Sequence, residues 1–304
     1  MHDKKPDTTT QPTGEKPIII IERDDKDEAA TVEERRVWWK PSWHQLLELV
    51  LLLLLLLLAF AGYRVWGYFH RIGVPISITP EENIEKLKLP ARQETAEVVM
   101  TSDSILGVAL DFYALHGLRA TLEFQEPDTA DHAVFLYSRS ADHTPANEYE
   151  GSLVVQGREL QSDRSRLGYM AMLDNQMVIG ISRSDMVKDY VAEQGGSFFR
   201  QYILVSNGVL PGHFRLHGKV ERRAIGRIGD TLYFIATRHQ ETLWDFADAL
   251  REYGFSDAIY ITGGNDYNYY RSRDGKRHDI ADPANYPHTK WAGIIPWLVF
   301  RKAE

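Results

Sequence analysis

The chain has 304 residues, of which 43% are hydrophobic, so it can bury one sizeable core and still carry additional segments. The formal net charge is −8 and no concentrated basic stripe occurs, which argues against nucleic acid as a partner. There is no cysteine, which excludes disulfides, thiol catalysis and cysteine-ligated zinc sites.

Residues 1–36 are rich in Lys, Asp, Glu, Thr and Pro and poor in core-forming residues, so they predict a disordered tail. The exception is the run of four isoleucines from Ile18 to Ile21. This run can add a strand to the sheet edge of a cytoplasmic partner, or it can be a segment without a role.

Residues 37–68 predict one membrane-spanning helix with its flanks. From Leu46 to Trp66 the chain is apolar except for Glu48 and Arg64, and at about 1.5 Å per residue it spans about 30 Å. Aromatic residues flank the run as they do at membrane interfaces: Trp38, Trp39, Trp43, Tyr63, Trp66 and Tyr68.

The orientation of this helix follows from the basic residues around it. Arg35, Arg36 and Lys40 precede the span and Arg64 and Arg71 follow it, which predicts a cytoplasmic N-terminus at the inner or plasma membrane. The C-terminal part is then periplasmic or extracellular. A cleaved signal peptide is the alternative, because Ala59-Phe60-Ala61 resembles a cleavage site, but the long polar tail in front favours an uncleaved anchor.

Residues 69–95 contain several prolines around the helical phrase "EENIEKLKL". They predict a stalk or linker, or a first contact with the folded part. The globular domain is expected over 96–304.

Period-two patterns and short apolar runs predict a sheet-rich α+β domain with helices packed on the sheet. The predicted strands are "AEVVM", "GVALDFYAL", "LRATLEF", "AVFLYS", "GSLVVQG", "GYMAML", "QMVIGIS", "RQYILVSNG", "RRAIGRI", "TLYFIAT", "DAIYIT" and "WLVF". Capping-box patterns predict helices from Ser182 to Gln194 and from Thr242 to Tyr253. Gly254 stands where a glycine ends a helix.

Three later stretches have a distinctive order and spacing: "ILVSNGVL" at 203–210, "RRAIGRIGDTLYFI" at 222–235 and "TLWDFADALREYGFSDAIYITGG" at 242–264. Together they resemble the phosphodiester glycosidase domain family, which includes bacterial proteins linked to exopolysaccharides. Two earlier segments, "GSLVVQGREL" and "GYMAMLDNQMVIG", look like the paired hairpins of that family. The resemblance covers about 97–304 and implies hydrolysis of a sugar-1-phosphate diester, without a cofactor.

The chain departs from the family pattern at three places. Thr262 stands where the Asn-Leu-Asp-Gly-Gly-Gly-Ser loop of the family has its aspartate. The family motif Asn-Gly-Gly-Phe-Phe is absent from 136–143, and the similar "GGSFFR" at 195–200 lies in the wrong chain order. Arg238-His239-Gln240 replaces an Asp-Gly that often follows the strand 231–236.

Cleavage of a sugar C1–O–phosphate bond needs a carboxylate at the anomeric carbon and cationic groups for the phosphate. Arg222 aligns with the arginine of the family motif Arg-Thr-Ala-Ile-Gly and is the first candidate for substrate binding; its alternative role is an exposed charge at a strand end. Arg223 is expected on the opposite face of the strand.

Three residues are candidates for the catalytic carboxylate: Asp266, Asp142 and Glu148. Further candidates for substrate binding are Thr262, Gly263, Gly264, Asn265, Arg139, His143 and Arg200. The alternatives are plain turn residues at 263–266, a solvated loop at 139–148, and core packing for the nearby Tyr267, Tyr269 and Tyr270.

A metal site is not expected, because Asp131-His132 and Asp142-His143 lie at opposite ends of one strand. Three functions remain open. The chain is a membrane-anchored, extracytoplasmic glycosidase of sugar-1-phosphate diesters, a catalytically degenerate protein that binds a glycan or phosphoglycan or assists envelope assembly, or a structural single-pass protein whose tail recruits a cytoplasmic partner.

Overall fold

The structure is a computed structural model that describes residues 42–69, 78–90, 94–140, 149–212, 214, 218–264, 267–280 and 295–303. The chain divides into two units, Met1–Gly62 and Tyr63–Glu304. The described helices are α1 (Trp43–Phe69), α2 (Pro80–Leu87), α3 (Met186–Glu193) and α4 (Leu243–Tyr253).

Helix α1 contains the apolar run. Its segment Trp43–Trp66 has a mean hydropathy of 2.6 and none of it is buried. Among the described helices, it alone is long and apolar enough to be a membrane span or a signal sequence.

The described strands, in chain order, are β1 (Glu97–Ile105), β2 (Val108–His116), β3 (Leu118–Glu123), β4 (Val134–Arg139), β5 (Leu153–Val155), β6 (Arg158–Gln161), β7 (Gly168–Leu173), β8 (Gln176–Ile181), β9 (Ser197–Gln201), β10 (Ile203–Val205), β11 (Arg222–Ile228), β12 (Thr231–Thr237), β13 (Asp257–Gly263), β14 (Tyr269–Arg271), β15 (Arg277–Asp279) and β16 (Trp297–Lys302). They form a six-stranded sheet, β1-β2-β12-β11-β13-β10, and two five-stranded sheets, β15-β14-β4-β16-β3 and β6-β5-β9-β7-β8. The folded part is therefore sheet-rich α+β, as predicted.

Helix α4 covers one face of the six-stranded sheet because its apolar side chains form a single stripe. Leu243, Phe246, Ala247 and Leu250 are fully buried in one cluster with residues of that sheet. The Thr242 hydroxyl accepts a hydrogen bond from the Asp245 amide at the start of the helix. Gly254, with φ at 106°, ends it in the left-handed conformation. The opposite face of the sheet contributes to a second core shared with the two five-stranded sheets.

Among the predicted elements whose bounds differ from the structure, one helix and one strand have a clear physical reason. Helix α3 begins at Met186, four residues after the predicted Ser182, because Ser182 accepts from the Ser184 amide and the Asp185 side chain makes no cap. The Asp185 carboxylate instead pairs with Arg164 and Arg200. The predicted strand "RQYILVSNG" is two strands, because the chain leaves one sheet after β9 and enters the six-stranded sheet at β10.

The folded part begins before residue 96, where the sequence predicted its start. The capping box of Thr79 and Glu82 starts α2, which lies inside the predicted linker. Asn83 is buried and donates to the Tyr169 hydroxyl at 2.7 Å, and Leu87 joins the core under α3. Helix α2 is therefore part of the folded unit and marks the first contact with it.

We expect Leu87→Ala to lower the free energy of unfolding by about 3 kcal/mol, because it leaves a cavity in a closed core. Leu89→Ala is the matched control, since Leu89 is 58% exposed and Leu87 is 2% exposed. Denaturant unfolding of the full chain in detergent, followed by tryptophan fluorescence, measures both. Equal, small effects would show that α2 is a linker.

Candidate functional site

The candidate site lies at one end of the six-stranded sheet, where β11 begins and β13 ends. Arg222 pairs with Gly263 and Arg223 pairs with Thr262 across these two strands. The arginines point to opposite faces, as strand alternation predicts, and both are buried. The same end of the sheet therefore presents two different environments.

Arg222 lies on the face covered by α4 and is held by groups of the protein itself. Its Nε donates to the Glu241 carbonyl at 3.0 Å, Nη2 to the Gly218 carbonyl at 2.8 Å, and Nη1 to the Tyr260 hydroxyl at 3.3 Å. All three guanidinium nitrogens thus have a protein acceptor. The predicted alternative of an exposed charge is wrong, because the side chain is only 1% exposed.

Gly263 and Gly264 are required for different structural reasons. A Cβ on Gly263 would overlap the Tyr260 hydroxyl and lie 2.9 Å from the Glu221 carbonyl, so only glycine fits there. Gly264 has φ at +81°, and its amide donates to the Glu221 carbonyl at 2.9 Å. Both glycines therefore shape the turn that follows β13.

A row of side chains crosses the other face of the sheet at this end. Cross-strand pairing puts Ser102 opposite Asp111, Asp111 opposite Ala236, Ala236 opposite Arg223, and Arg223 opposite Thr262. Directly paired residues of antiparallel strands share a face, so these five form one row. We call it the polar row. Between Arg223 and Ala224 the pairing with β13 shifts by one residue, which brings Thr262 onto this face.

Arg223 is the cationic member of the polar row and is 2% exposed. Its Nη1 donates to the Gly264 carbonyl at 2.8 Å, and its Nη2 lies 3.3 Å from the Glu221 carboxylate. Within the part of the chain that the structure describes, its buried Nε has no hydrogen-bond partner. The buried Nε atoms of Arg166 and Arg200 also lack a partner there, so what distinguishes Arg223 is its place in the polar row, opposite Thr262.

Asp111 is the acidic member of the polar row. Its Oδ1 accepts from the Ser102 hydroxyl at 2.7 Å and lies 3.6 Å from Arg238 Nε. Its side chain is 16% exposed, so Asp111 lies nearer to solvent than Arg223. The row therefore runs from a partly exposed carboxylate to a buried guanidinium.

Tyr113 lies two residues after Asp111 on the same strand face. Burial, and then the charges of Asp111 and Tyr270, raise the pKa of its hydroxyl, while Arg223 acts in the opposite direction. The hydroxyl therefore stays protonated at neutral pH and can donate a hydrogen bond. The ring packs edge-on against Tyr270 at 4.9 Å, and Tyr270 stacks on His278 at 4.6 Å.

Of the three predicted tyrosines, only Tyr270 lies beside the polar row. Tyr267 and Tyr269 are buried in an aromatic cluster with Tyr137 and Trp297, which is the core-packing alternative. The Tyr267 hydroxyl donates to the Asp279 carboxylate at 2.5 Å.

Arg139 and Arg200 are both buried and bind groups within the protein. The Arg139 guanidinium lies over the Trp297 ring at 3.9 Å and donates to the Ile295 carbonyl. Arg200 donates to the Ser182 and Ser184 carbonyls and pairs with Asp185. Burial lowers the pKa of Arg200, although Asp185 opposes this. These contacts account for its burial by tying the loop before α3 to β9.

The three predicted catalytic residues, Asp266, Asp142 and Glu148, lie outside the described residues, as do Asn265 and His143. The described residues contain no cluster of three or more His, Asp or Glu side chains that could hold a metal. Asp131, in one of the two Asp-His pairs, binds Arg301 at 2.6 Å. The Ala133 amide, followed by Arg301, lowers the pKa of Asp131.

Comparison with solved structures finds distant similarities. The catalytic domain of zebrafish N-acetylglucosamine-1-phosphodiester alpha-N-acetylglucosaminidase, auto-inhibited by its pro-peptide, matches at 13% identity and a TM-score of 0.47, over 70% of this chain and 84% of that domain. A hypothetical protein from Synechocystis matches at 10% identity and a TM-score of 0.51, over 69% of this chain and 64% of that one. A putative exported protein from Burkholderia pseudomallei matches at 12% identity and a TM-score of 0.26, over 71% and 60%.

At these identities, the similarity to the Synechocystis protein shows a shared fold and nothing about activity. This chain spans less than two thirds of the length of the Synechocystis and Burkholderia proteins. No protein-family model matches the chain, and no curated protein sequence matches it.

Asp111 was not among the candidates predicted from the sequence, and Arg223 was expected only as the arginine on the other face of the strand. Asp111 interrupts the predicted strand "GVALDFYAL", which was the available signal, since a carboxylate within an apolar strand has to face solvent or a polar site. Its position opposite the β11 arginine requires the pairing of β2 with β12, which connects segments far apart in the chain.

We expect Gly263→Ala to destabilise the protein by about 2 kcal/mol, since its Cβ overlaps the Tyr260 hydroxyl. The cost should fall by about 1 kcal/mol in a Tyr260→Phe background, which a double-mutant cycle of unfolding free energies measures. Gly212→Ala is the control, because nothing lies within 4 Å of its Cβ position. Equal costs in both backgrounds would contradict the proposed contact.

Proposed function

We propose that the folded unit is an extracytoplasmic domain that binds a sugar-1-phosphate diester and hydrolyses it, with the phosphate held by Arg223. The observation that carries this proposal is the buried Arg223 guanidinium, whose Nε has no acceptor among the described residues. A phosphate oxygen supplies such an acceptor, and the planar guanidinium fork can bind two oxygens at once.

Arg223 is a better phosphate ligand than Arg222. Each guanidinium nitrogen of Arg222 already donates to a protein oxygen on the α4 face. A ligand there would have to displace these bonds. Arg223 instead lies on the same face as Tyr113 and Asp111, whose hydroxyl and carboxyl groups are the ones we propose for contacts with the sugar.

The sequence resemblance supports an anionic ligand at the same position. In the family motif Arg-Thr-Ala-Ile-Gly, the threonine corresponds to Arg223, and the aspartate of the glycine-rich loop corresponds to Thr262. Arg223 and Thr262 are cross-strand partners here. In the family, this pair is a neutral threonine and an acidic aspartate. In this chain, it is the cationic Arg223 and the neutral Thr262, and this change of charge makes the position more favourable for an anion.

Binding without hydrolysis is the second candidate function, and the absence of a carboxylate at Thr262 favours it. Hydrolysis then depends on a carboxylate from another position. Asp266, Asp142 and Glu148 remain proposals for that role, and Asn265, His143, Thr262, Gly263 and Gly264 remain proposals for contacts with the substrate. Arg139, Arg200 and Arg222 would act by supporting the surrounding loops.

The proposed location follows from α1 acting as an uncleaved anchor. The basic residues before the span exceed those after it, which supports a cytoplasmic tail and an extracytoplasmic folded unit. An envelope glycan or phosphoglycan is then the accessible ligand. The tail, with Ile18 to Ile21, is available to a cytoplasmic partner.

We expect Arg223→Gln to weaken binding of UDP-sugars or methyl glycosyl phosphates at least about tenfold, because it removes a charge-assisted hydrogen bond. Calorimetric titration of the full chain in detergent measures this. Arg273→Gln, at an 83% exposed side chain, is the matched control and should bind as the wild type does. Wild-type-like binding by Arg223→Gln, with loss in Arg222→Gln, would assign the phosphate to the other face.

The lack of cysteine makes a clean test of orientation available. A membrane-impermeant maleimide applied to intact cells should label Ser104→Cys, an exposed position at the end of β1, and should not label Thr9→Cys until the cells are lysed. Labelling of Thr9→Cys alone in intact cells would reverse the proposed orientation.

A further inference from the structure

Asp111 and Arg223 face each other across one small residue. They lie two strands apart in the polar row, which separates their Cα atoms by about 10 Å. Ala236, between them, has only a methyl side chain. The long Arg223 side chain and the shorter Asp111 side chain therefore stand on either side of the short Ala236 side chain, on one face of the sheet.

The two charged side chains differ in access to solvent. Asp111 is partly exposed, whereas Arg223 is almost completely buried. A phosphodiester that enters phosphate-first would bring its anionic group to Arg223. The anomeric carbon would then lie between Arg223 and Asp111, and water would have access from the Asp111 side.

The contacts of the Asp111 carboxylate involve one of its two oxygens. The Ser102 hydroxyl donates to Oδ1, and Arg238 lies 3.6 Å from the same oxygen. These contacts leave Oδ2 without a partner among the described residues. Oδ2 is therefore the oxygen suited to accept a proton.

We propose that Asp111 is the general base of the hydrolysis and occupies the functional role of the aspartate that Thr262 replaces. This inference rests on the proposed function. Asp111 takes a proton from a water molecule, the water oxygen forms a bond to the anomeric carbon, and the C1–O bond to phosphate breaks. The electron pair of that bond stays on the phosphate oxygen, and the products are the free sugar and a phosphate monoester.

One carboxylate is sufficient for this step, because the phosphate monoester is a good leaving group and needs little help from an acid. Water attacks from the side opposite the departing phosphate, so the configuration at the anomeric carbon inverts. Ser102 is a positioning residue that acts through Asp111.

The test uses the full chain in detergent with α-configured UDP-sugars and methyl α-glycosyl phosphates, and follows the product anomer by proton NMR. We expect β-configured sugar as the first product. Asp111→Asn should lower kcat at least about 100-fold, whereas binding of the same compounds should be retained. Retained binding also shows that the variant is folded.

The matched control is Asp103→Asn, at the neighbouring strand position on the opposite face, which should keep wild-type kcat. In Asp111→Ala, added azide should restore turnover and give a β-glycosyl azide, because azide attacks without a base. Ser102→Ala should lower kcat less than Asp111→Asn does, with KM unchanged.

The possible outcomes test the role of Asp111 and the binding of phosphate by Arg223 separately. Turnover that survives Asp111→Asn, or an α-configured first product, overturns the role of Asp111. Binding without turnover in the wild type also overturns it and leaves phosphate binding at Arg223 standing. No binding of any compound overturns both.

Discussion

Burial of two consecutive guanidinium groups at the start of β11 is the constraint on which this end of the fold depends. A buried cation is costly unless acceptors surround it. Arg222 takes its acceptors from the segments before β11 and after β12, through the Gly218 and Glu241 carbonyls, and Arg223 takes the Gly264 carbonyl after β13. The two side chains therefore fix three connecting segments to one strand end. The shape of the site and the stability of the sheet cannot be varied independently there.

Elements with consistent local signals could be predicted from the sequence. Helix α4 has an apolar stripe, a threonine cap and a terminal glycine, and all three agree with its observed bounds. The Ser182 pattern was of the same local kind and failed, because the Asp185 carboxylate pairs with Arg164, in the loop after β6, and with Arg200, in β9. Local capping free energies of about 1 kcal/mol are easily exceeded by such tertiary contacts.

The site was less predictable, since it is assembled by strand order. The motif resemblance led to Arg222 and Thr262, which lie at one end of the six-stranded sheet. It could not show that backbone carbonyls enclose Arg222. Every residue has such a carbonyl, so the sequence does not indicate which ones accept hydrogen bonds from the guanidinium. Nor could it show that β2 lies beside β12, which alone brings Asp111 into the row. A single sequence contains the residues of such a row but does not show that they are neighbours in the sheet.

The one-residue shift in the pairing of β13 determines which residue of that strand lies opposite Arg223. With regular alternation, Thr262 would share a face with Tyr260, beneath α4. The shift turns it to the face of Arg223. Deletion of Ile261, the residue that this pairing skips, would remove the shift and leave Tyr260 opposite Ala224 and Thr262 opposite Arg223. The extra residue therefore lets Ile261 stay in the apolar core while Thr262 lies on the face of Arg223.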